Sequence, residues 1–253
     1  MSRTNRVVIA GGSGKDVLDG GAGNDIFRFS AAGLTAADTI KGGLGNDALV
    51  LTGAGTVGAG GVSGVETFTL ATRGANSLTL GAANFAAVAG AQITVSDGNG
   101  GDNVYAARLP RADRILVHAG KGRDRLTGGA GDDTFFAGGD TKMTGKGGAN
   151  KFVFAATGSN TITDFAASVA NEIVFVSGAG FALPGAGKTA KPVGGLLHRD
   201  ANGSFTASSQ RFAYDTANGD LFYSASGSSS NKHLIAALDG HPGLNPAHIL
   251  FMS

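Results

Sequence analysis

The chain has 253 residues, no cysteine, and 20 basic against 19 acidic side chains. The absence of cysteine excludes disulfides, thiolate metal sites and cysteine nucleophiles together. Glycine makes up 44 of the 253 positions, against roughly 7% in ordinary chains, which argues against a packed helical domain because glycine is costly in helix interiors. No Gly-X-Y period is present, so collagen is excluded too.

Met1–Asn5 is polar and the apolar run Val7–Ala10 is too short for the core of a cleaved signal peptide. No apolar run approaches membrane-spanning length. A first block covers residues 7–52, and in it one nonapeptide, Gly-Gly-x-Gly-x-Asp-x-U-x with U large and apolar, recurs. GGSGKDVLD supplies Gly11, Gly12, Gly14 and Asp16, and GGAGNDIFR supplies Gly20, Gly21, Gly23 and Asp25. After a degenerate unit ending in Asp38-Thr39-Ile40, GGLGNDALV supplies Gly42, Gly43, Gly45 and Asp47. Back-to-back repetition means that one structural unit is stacked. The glycines permit left-handed backbone, so carbonyls can turn toward one point; the Asp adds a charged oxygen, and x-U-x begins a strand with U buried. Two such half-turns predict a coil of about eighteen residues, which stacks Asp25 on Asp47 and Asp16 on Asp38. Carboxylates and carbonyls are hard oxygen ligands, and that set favours Ca2+ over zinc or copper.

Residues 53–95 lose the glycine–aspartate motif but keep strand-like triplets such as Phe68-Thr69-Leu70 and Ile93-Thr94-Val95. They read as metal-free solenoid turns, with the lone Glu66 in a structural role. A second block, residues 96–154, contains the near-copies DGNGGDNVY from Asp97 and AGKGRDRLT from Ala119, each lacking only the first glycine, and the full copy GGAGDDTFF. Its expected cation ligands are Asp102, Asp113, Gly122, Asp124, Gly128, Gly129, Gly131 and Asp133, with Asp102 stacked on Asp124 and Asp113 on Asp133. Asn150 stands where Asp is expected, keeping an oxygen without the charge. Residues 155–253 change character: RFAYDTANGDLFYSASG signals a hairpin around Asn218-Gly219. Phe165, Phe175, Phe212, Phe222 and Leu250 are the expected apolar residues of a terminal cap, which a solenoid end requires.

Enzyme signatures fail. Neither His-Glu-x-x-His nor Gly-x-Ser-x-Gly occurs, and GAGKT from Gly185 lacks the phosphate-loop glycine, having Ala182 there and Pro184 between. The five histidines show no ligand spacing. Lys15, Arg108, Arg111, Arg114, Lys121, Arg123, Arg125, Lys146 and Lys151 lie in the repeats. They either neutralise the row of carboxylates or form a surface for an anionic polysaccharide or lipid head group. Arg114 and Arg125 are a half-turn apart and should project from opposite faces.

The nonapeptides resemble the repeats-in-toxin (RTX) family, whose haemolysin-type calcium-binding repeats bind Ca2+ in bacterial proteins. The resemblance implies an all-β fold, a parallel β-roll or β-solenoid, closed by a C-terminal β-rich capping and secretion domain. It further implies a protein secreted to the extracellular space or cell surface by type I secretion machinery, with an uncleaved C-terminal address. SNTITDFAASVANEIVFVS, marked by Asp164-Phe165, resembles the strand pair that closes such rolls. The expected function is a non-catalytic Ca2+-binding roll that folds on export. The alternative is a surface-layer, adhesin or anionic-polysaccharide-binding module in which Ca2+ is structural. Cell-surface polysaccharide is a further candidate partner, and neither nucleic acid nor a membrane span is expected. VSGVETFTL resembles segments of bacterial surface-layer and adhesin solenoids.

Overall fold

The computed structural model describes residues 6–166, 170–178, 180–183 and 191–252. Within them the chain is all-β, a parallel solenoid of short strands joined by turns and brief 3-10 segments. An eleven-stranded sheet runs from Val8–Ala10 through Ile26–Ser30, Ala48–Gly53 and Thr67–Thr69 to Glu172–Val176 and Ile249–Met252, parallel until Lys191–Pro192 adds an antiparallel edge. A ten-stranded sheet faces it, starting at Thr56–Val57, and a three-stranded sheet joins Val17–Ala22, Thr39–Leu44 and Val62–Ser63.

Inward residues of neighbouring coils lie in register, so the core consists of rows. One row climbs Ile9, Phe27, Leu49, Phe68, Val95, Val117, Phe135, Phe152, Ile173 and Ile249. A second climbs Val57, Leu78, Val104, Leu126, Met143, Ile162 and Leu238. Apart from the partly buried Ile9 at the edge, these side chains are buried. Strand alternation turns every second residue inward, which is why U of each nonapeptide faces the core. Burying a large apolar side chain contributes roughly 1.5–3 kcal/mol, and each coil can do so only against its neighbours.

The coil keeps the expected eighteen residues in places, Val8 to Ile26 and Leu116 to Thr134, but not throughout. Along the large sheet as far as Glu172–Val176 its length ranges from 17 residues, Thr134 to Lys151, to 27, Thr67 to Thr94. The coils have three faces rather than two: the chain passes from Ala48–Gly53 to Thr56–Val57 and Val62–Ser63 before returning at Thr67–Thr69. Elsewhere the third face is a turn or loop, as at Ala82–Phe85 and residues 106–113. Added residues are absorbed there, because the strand register is held by buried rows and the turns are not. The ladders run unbroken through residues 53–95.

The C-terminal segment closes the stack. His233–Leu238 pairs in parallel with Asn160–Ile162, and Ile249–Met252 pairs with Glu172–Val176. The hairpin of Phe212–Asp215 and Asp220–Tyr223 then lies antiparallel near the end of the ten-stranded sheet, turning at Gly219 with φ +79°, and Leu197–Asp200 pairs with it in parallel as the edge. Aromatic rings fill the space it covers: Phe175 stacks on Phe212 at 4.4 Å and meets Phe181 edge-on at 5.0 Å. Phe165, Phe175 and Phe212 are buried as expected, whereas Phe222 and Leu250 are only half-buried. Alternation turns their neighbours Leu221, Tyr223, Ile249 and Phe251 inward instead.

Candidate metal centre

Each Asp of a nonapeptide ends a glycine turn just before a strand, and the stacking of coils decides what its two oxygens meet. One oxygen accepts the backbone N–H of the residue at the same place one coil earlier. Asp47 Oδ1 takes the amide of Asp25 at 2.7 Å, Asp38 Oδ1 that of Asp16 at 2.8 Å, and Asp124 Oδ1 that of Asp102 at 3.0 Å. The rungs extend beyond the glycine motif. Glu66 Oε2 accepts from Asp47 N, Asp102 Oδ1 from Asn76 N, Asn150 Oδ1 from Asp133 N, and Asn171 Oδ1 from Asn150 N. A strand-end amide buried without a partner would cost about 1–3 kcal/mol, so this ladder is structural in its own right.

The other oxygen points into the glycine turn. A Cβ placed at Gly20 or Gly42 would lie 2.5 Å from Asp25 Oδ2 or Asp47 Oδ2, and one at Gly128 would overlap Asp133 Oδ2. The first glycine therefore leaves room for that oxygen. The fourth residue turns the chain, with φ +140° at Gly23 and +136° at Gly45, where a side chain is strained. Among the described residues, Asp25 Oδ2, Asp47 Oδ2, Asp97 Oδ2 and Asp124 Oδ2 are buried with no hydrogen-bond partner. An unpaired buried carboxylate oxygen is expensive. Oxygen-only donors at such a position fit a hard cation, Ca2+ above all.

The electrostatics agree. Burial pushes Asp124 up to about 6, with the Asp102 amide pulling it down and the Asp102 charge adding to the rise. Burial also pushes Asp133 up to about 6, against hydrogen bonds from the amides of Ile115 and Gly129. Asp47 and Glu66 are raised, chiefly by burial. Asp97 is held well above the usual carboxylate range by burial and then by its neighbour Asp102. In each of these groups burial penalises the charged form, a cost that a bound cation would offset. Asp38 is the exception, lowered by the amides of Asp16 and Thr35.

The expected pairs Asp25–Asp47, Asp16–Asp38 and Asp102–Asp124 are adjacent rungs. Asp113 and Asp133 do not stack. Leu116 pairs with Thr134, which sets Ile115 opposite Asp133, and Asp133 Oδ1 accepts the Ile115 amide. Asp113 instead closes a turn through its amide on the Pro110 carbonyl, because the loop before it is longer than the next. Asp38 and Asp133 also differ from Asp25 and Asp47 in having both oxygens engaged. Asp38 Oδ2 accepts from Thr35, and Asp133 Oδ2 accepts from Gly129 N at 2.7 Å. Of the glycines, Gly11, Gly12 and Gly14 belong to the outermost, largely exposed turn, where Gly12 N donates to Asp16 Oδ2 at 3.2 Å. Gly21, Gly43 and Gly122 adopt φ of +89°, +110° and +139°, whereas Gly129 and Gly131 are packed against Leu109 and the Asp113 carbonyl.

Sequence reasoning passed over Asp97, and it treated Glu66 without seeing that it continues the Asp25–Asp47 ladder. The signal for Glu66 is short: Asx or Glu, any residue, then a buried apolar residue. Glu66-Thr67-Phe68, Asn76-Ser77-Leu78, Asn160-Thr161-Ile162 and Asn171-Glu172-Ile173 all carry it. Among the described residues, no basic side chain of the repeats pairs with a loop aspartate. The ion pairs among the described residues are Lys151–Glu172 at 3.0 Å and His198–Asp200 at 3.6 Å. Arg114, Arg125 and Lys142 precede inward residues and so project outward, Arg114 from one large sheet and Arg125 from the other.

The geometry defines a class: a parallel β-roll whose glycine turns present stacked carboxylates. The chain matches the family model described as RTX calcium-binding nonapeptide repeat, in four copies, over residues 8–31, 30–53 and 116–141. It therefore carries RTX calcium-binding repeats, which are typical of secreted bacterial proteins. No curated protein matches the chain.

Proposed function

We propose that this protein is a secreted, non-catalytic Ca2+-binding β-roll that folds when it reaches extracellular Ca2+ and carries a type I export address in its C-terminal region. The observation that carries the reading is the set of buried, partnerless carboxylate oxygens at Asp25, Asp47 and Asp124 beside glycine turns. Gly11 to Gly14 with Asp16, Gly20 to Gly23 with Asp25, and Gly42 to Gly45 with Asp47 form the first block of sites, over residues 7–52. Asp102, Asp124 and Asp133 with Gly122 and Gly128 to Gly131 form the second, over 96–154. Residues 53–95 are the metal-free turns between them, and 155–253 the cap and export region.

Cytosolic Ca2+ is scarce, so the carboxylates repel and the chain stays exportable. Outside, millimolar Ca2+ suits the weak affinities of extracellular modules. An ion that binds only the folded state stabilises it by about 1.4 kcal/mol at ten times its Kd. Several sites acting together are enough to switch a marginal roll. The test is circular dichroism and thermal unfolding of metal-free protein titrated with Ca2+ and with Mg2+. Ca2+ should raise both sheet signal and melting temperature, and Mg2+ should do so poorly because it demands a smaller octahedron. Equal folding with and without Ca2+ refutes the switch.

A second reading, a surface module for anionic polysaccharide, is favoured by one specific observation. Arg125 and Lys142 are direct neighbours across a parallel ladder, on an outer face where neither is in an ion pair among the described residues. Retention on an anionic polysaccharide column that falls with salt and with Arg125→Ala, but not with Arg114→Ala on the other sheet, supports it. Unchanged elution of Arg125→Ala refutes it.

A further inference from the structure

The loop from Asp97 to Tyr105 lies outside the matched repeats and departs from their pattern at one position. Where the turns at Gly20, Gly42 and Gly128 have a glycine five residues before the carboxylate, and the next turn has the small Ala119, this one has Asp97 before Asp102. The substitution places a second carboxylate in the space that the missing side chain otherwise leaves to Oδ2. The Gly98 amide donates to both, to Asp97 Oδ1 at 2.9 Å and Asp102 Oδ2 at 3.1 Å. Asp124, from the next coil, completes the group. One carboxylate oxygen from each of Asp97, Asp102 and Asp124 lies within 4.8 Å of the other two, the one such trio among the described residues.

Two further observations point to a ligand at this place. Asp124 is 2% exposed, and both its Oδ2 and that of Asp97 are buried without a hydrogen-bond partner. The remaining oxygens are already committed to holding the carboxylates still: Asp102 Oδ1 accepts from Asn76 N and Nδ2, and Asp124 Oδ1 accepts from Asp102 N. Among the described residues, no basic side chain forms an ion pair with any of the three.

The geometry points to Asp97 as a ligand outside the repeat pattern, which makes the Asp97–Asp102–Asp124 turn the tightest divalent-cation site of the chain. This rests on the Ca2+-binding reading above and goes beyond it by ranking the sites. Affinity for Ca2+ is tuned by the number of charged ligands and by rigidity. This turn has three carboxylates locked by backbone amides, where the Asp25–Asp47 turn has two.

The repeat pattern and the proposal make opposite predictions for one substitution. Asp97→Gly restores the repeat's own first glycine, so a chain governed by the pattern alone would bind as well or better. The test is isothermal titration of the full-length, metal-free chain with Ca2+, for wild type, Asp97→Gly and Asp97→Asn. Asp97→Asn keeps the side-chain volume and an oxygen for the Gly98 amide, so it folds as wild type does and reports on charge alone. The wild type should show one class of site tighter than the rest, and both variants should lose it, with Kd raised by about tenfold or more. Retention of the tight class in either variant, or tighter binding by Asp97→Gly, overturns the proposal while the Ca2+ reading stands. Absence of Ca2+ binding in the wild type overturns both.

Discussion

Acidification should stabilise the metal-free protein and destabilise the Ca2+-loaded one. Asp124 and Asp133 are 2% and 0% exposed, and burial raises each from 3.8 to about 6. A carboxylate whose folded pKa exceeds its unfolded value contributes its full stability below the unfolded pKa, and that contribution is lost as pH rises through the folded one. Between pH 8 and pH 5 the two groups together return about 2–3 kcal/mol, and Asp97, raised further, acts in the same direction. For a chain of this size that is a rise in melting temperature of about 5 °C or more. His118 opposes it: burial lowers its pKa, so its contribution is lost as pH falls through 6.5, and a His118→Gln background removes it. Asp38, Asp200 and Asp215 have depressed pKa values, so they give up stability only as pH falls below about 4. With Ca2+ bound, protons compete for the same oxygens and the sign reverses. The assay is thermal unfolding followed by far-ultraviolet circular dichroism from pH 8 to 5, with metal-free and Ca2+-saturated protein. A melting temperature of the metal-free His118→Gln protein that falls steadily over that range refutes the account of buried, unpaired carboxylates.

Two glycines of the first block should respond oppositely to alanine. A Cβ at Gly42 overlaps the Gly64 carbonyl and crowds Asp47 Oδ2, while Gly12 has open space and no positive φ. Gly42→Ala should cost about 1–3 kcal/mol by overpacking, whereas Gly12→Ala should be neutral or stabilising by up to ~1 kcal/mol, as thermal or denaturant unfolding will show. Asn150→Asp exchanges the Nδ2 bond to the Gly147 carbonyl for a charge facing that carbonyl. Without metal it should cost about 1–3 kcal/mol, and it should enlarge the melting-temperature rise on adding Ca2+. Removing residues 204–253 deletes the strands paired to Asn160–Ile162 and Glu172–Val176. The shortened chain should aggregate, and a reporter fused to it should no longer leave a host that has a type I channel; undiminished secretion would remove the export assignment.

The parallel roll was legible because Phe27, Leu49 and Phe135 occupy the same place after the same Asp, and only stacking in register makes that place equivalent. Coil length was not legible. It is set by turns such as Ala82–Phe85, where any insertion that leaves the buried rows in register is tolerated. That freedom is also why Asp113, which fits the repeat spacing, falls off the ladder: the register is decided by Val117 against Phe135, which sets Ile115 rather than Asp113 opposite Asp133. Asp97 was hidden for a different reason. A motif marks it as a missing glycine, and only the folded turn shows that its carboxylate meets Asp102 and Asp124. Alternation in the tail was readable, but its phase was not: in Leu221-Phe222-Tyr223 and Ile249-Leu250-Phe251 every residue is large and apolar, so no local pattern says which of two neighbours faces inward.

The two ends of the stack are unlike. At one, Val8 and Val17 are 55% and 71% exposed; at the other, Phe175 and Phe181 are packed beneath an antiparallel hairpin that lays its own Phe212 on Phe175. In a one-dimensional array each unit is stabilised only by its neighbours, so this asymmetry gives unwinding a direction. Amide protons near Val8 exchange first, through openings that cost little, and those beside Phe175 exchange last, at the cost of the whole structure. Cations held at the proposed sites should follow the same order: one between Asp25 and Asp47 should be released when a few coils peel away, and one at the Asp97 trio only after the ladders on that side have come apart.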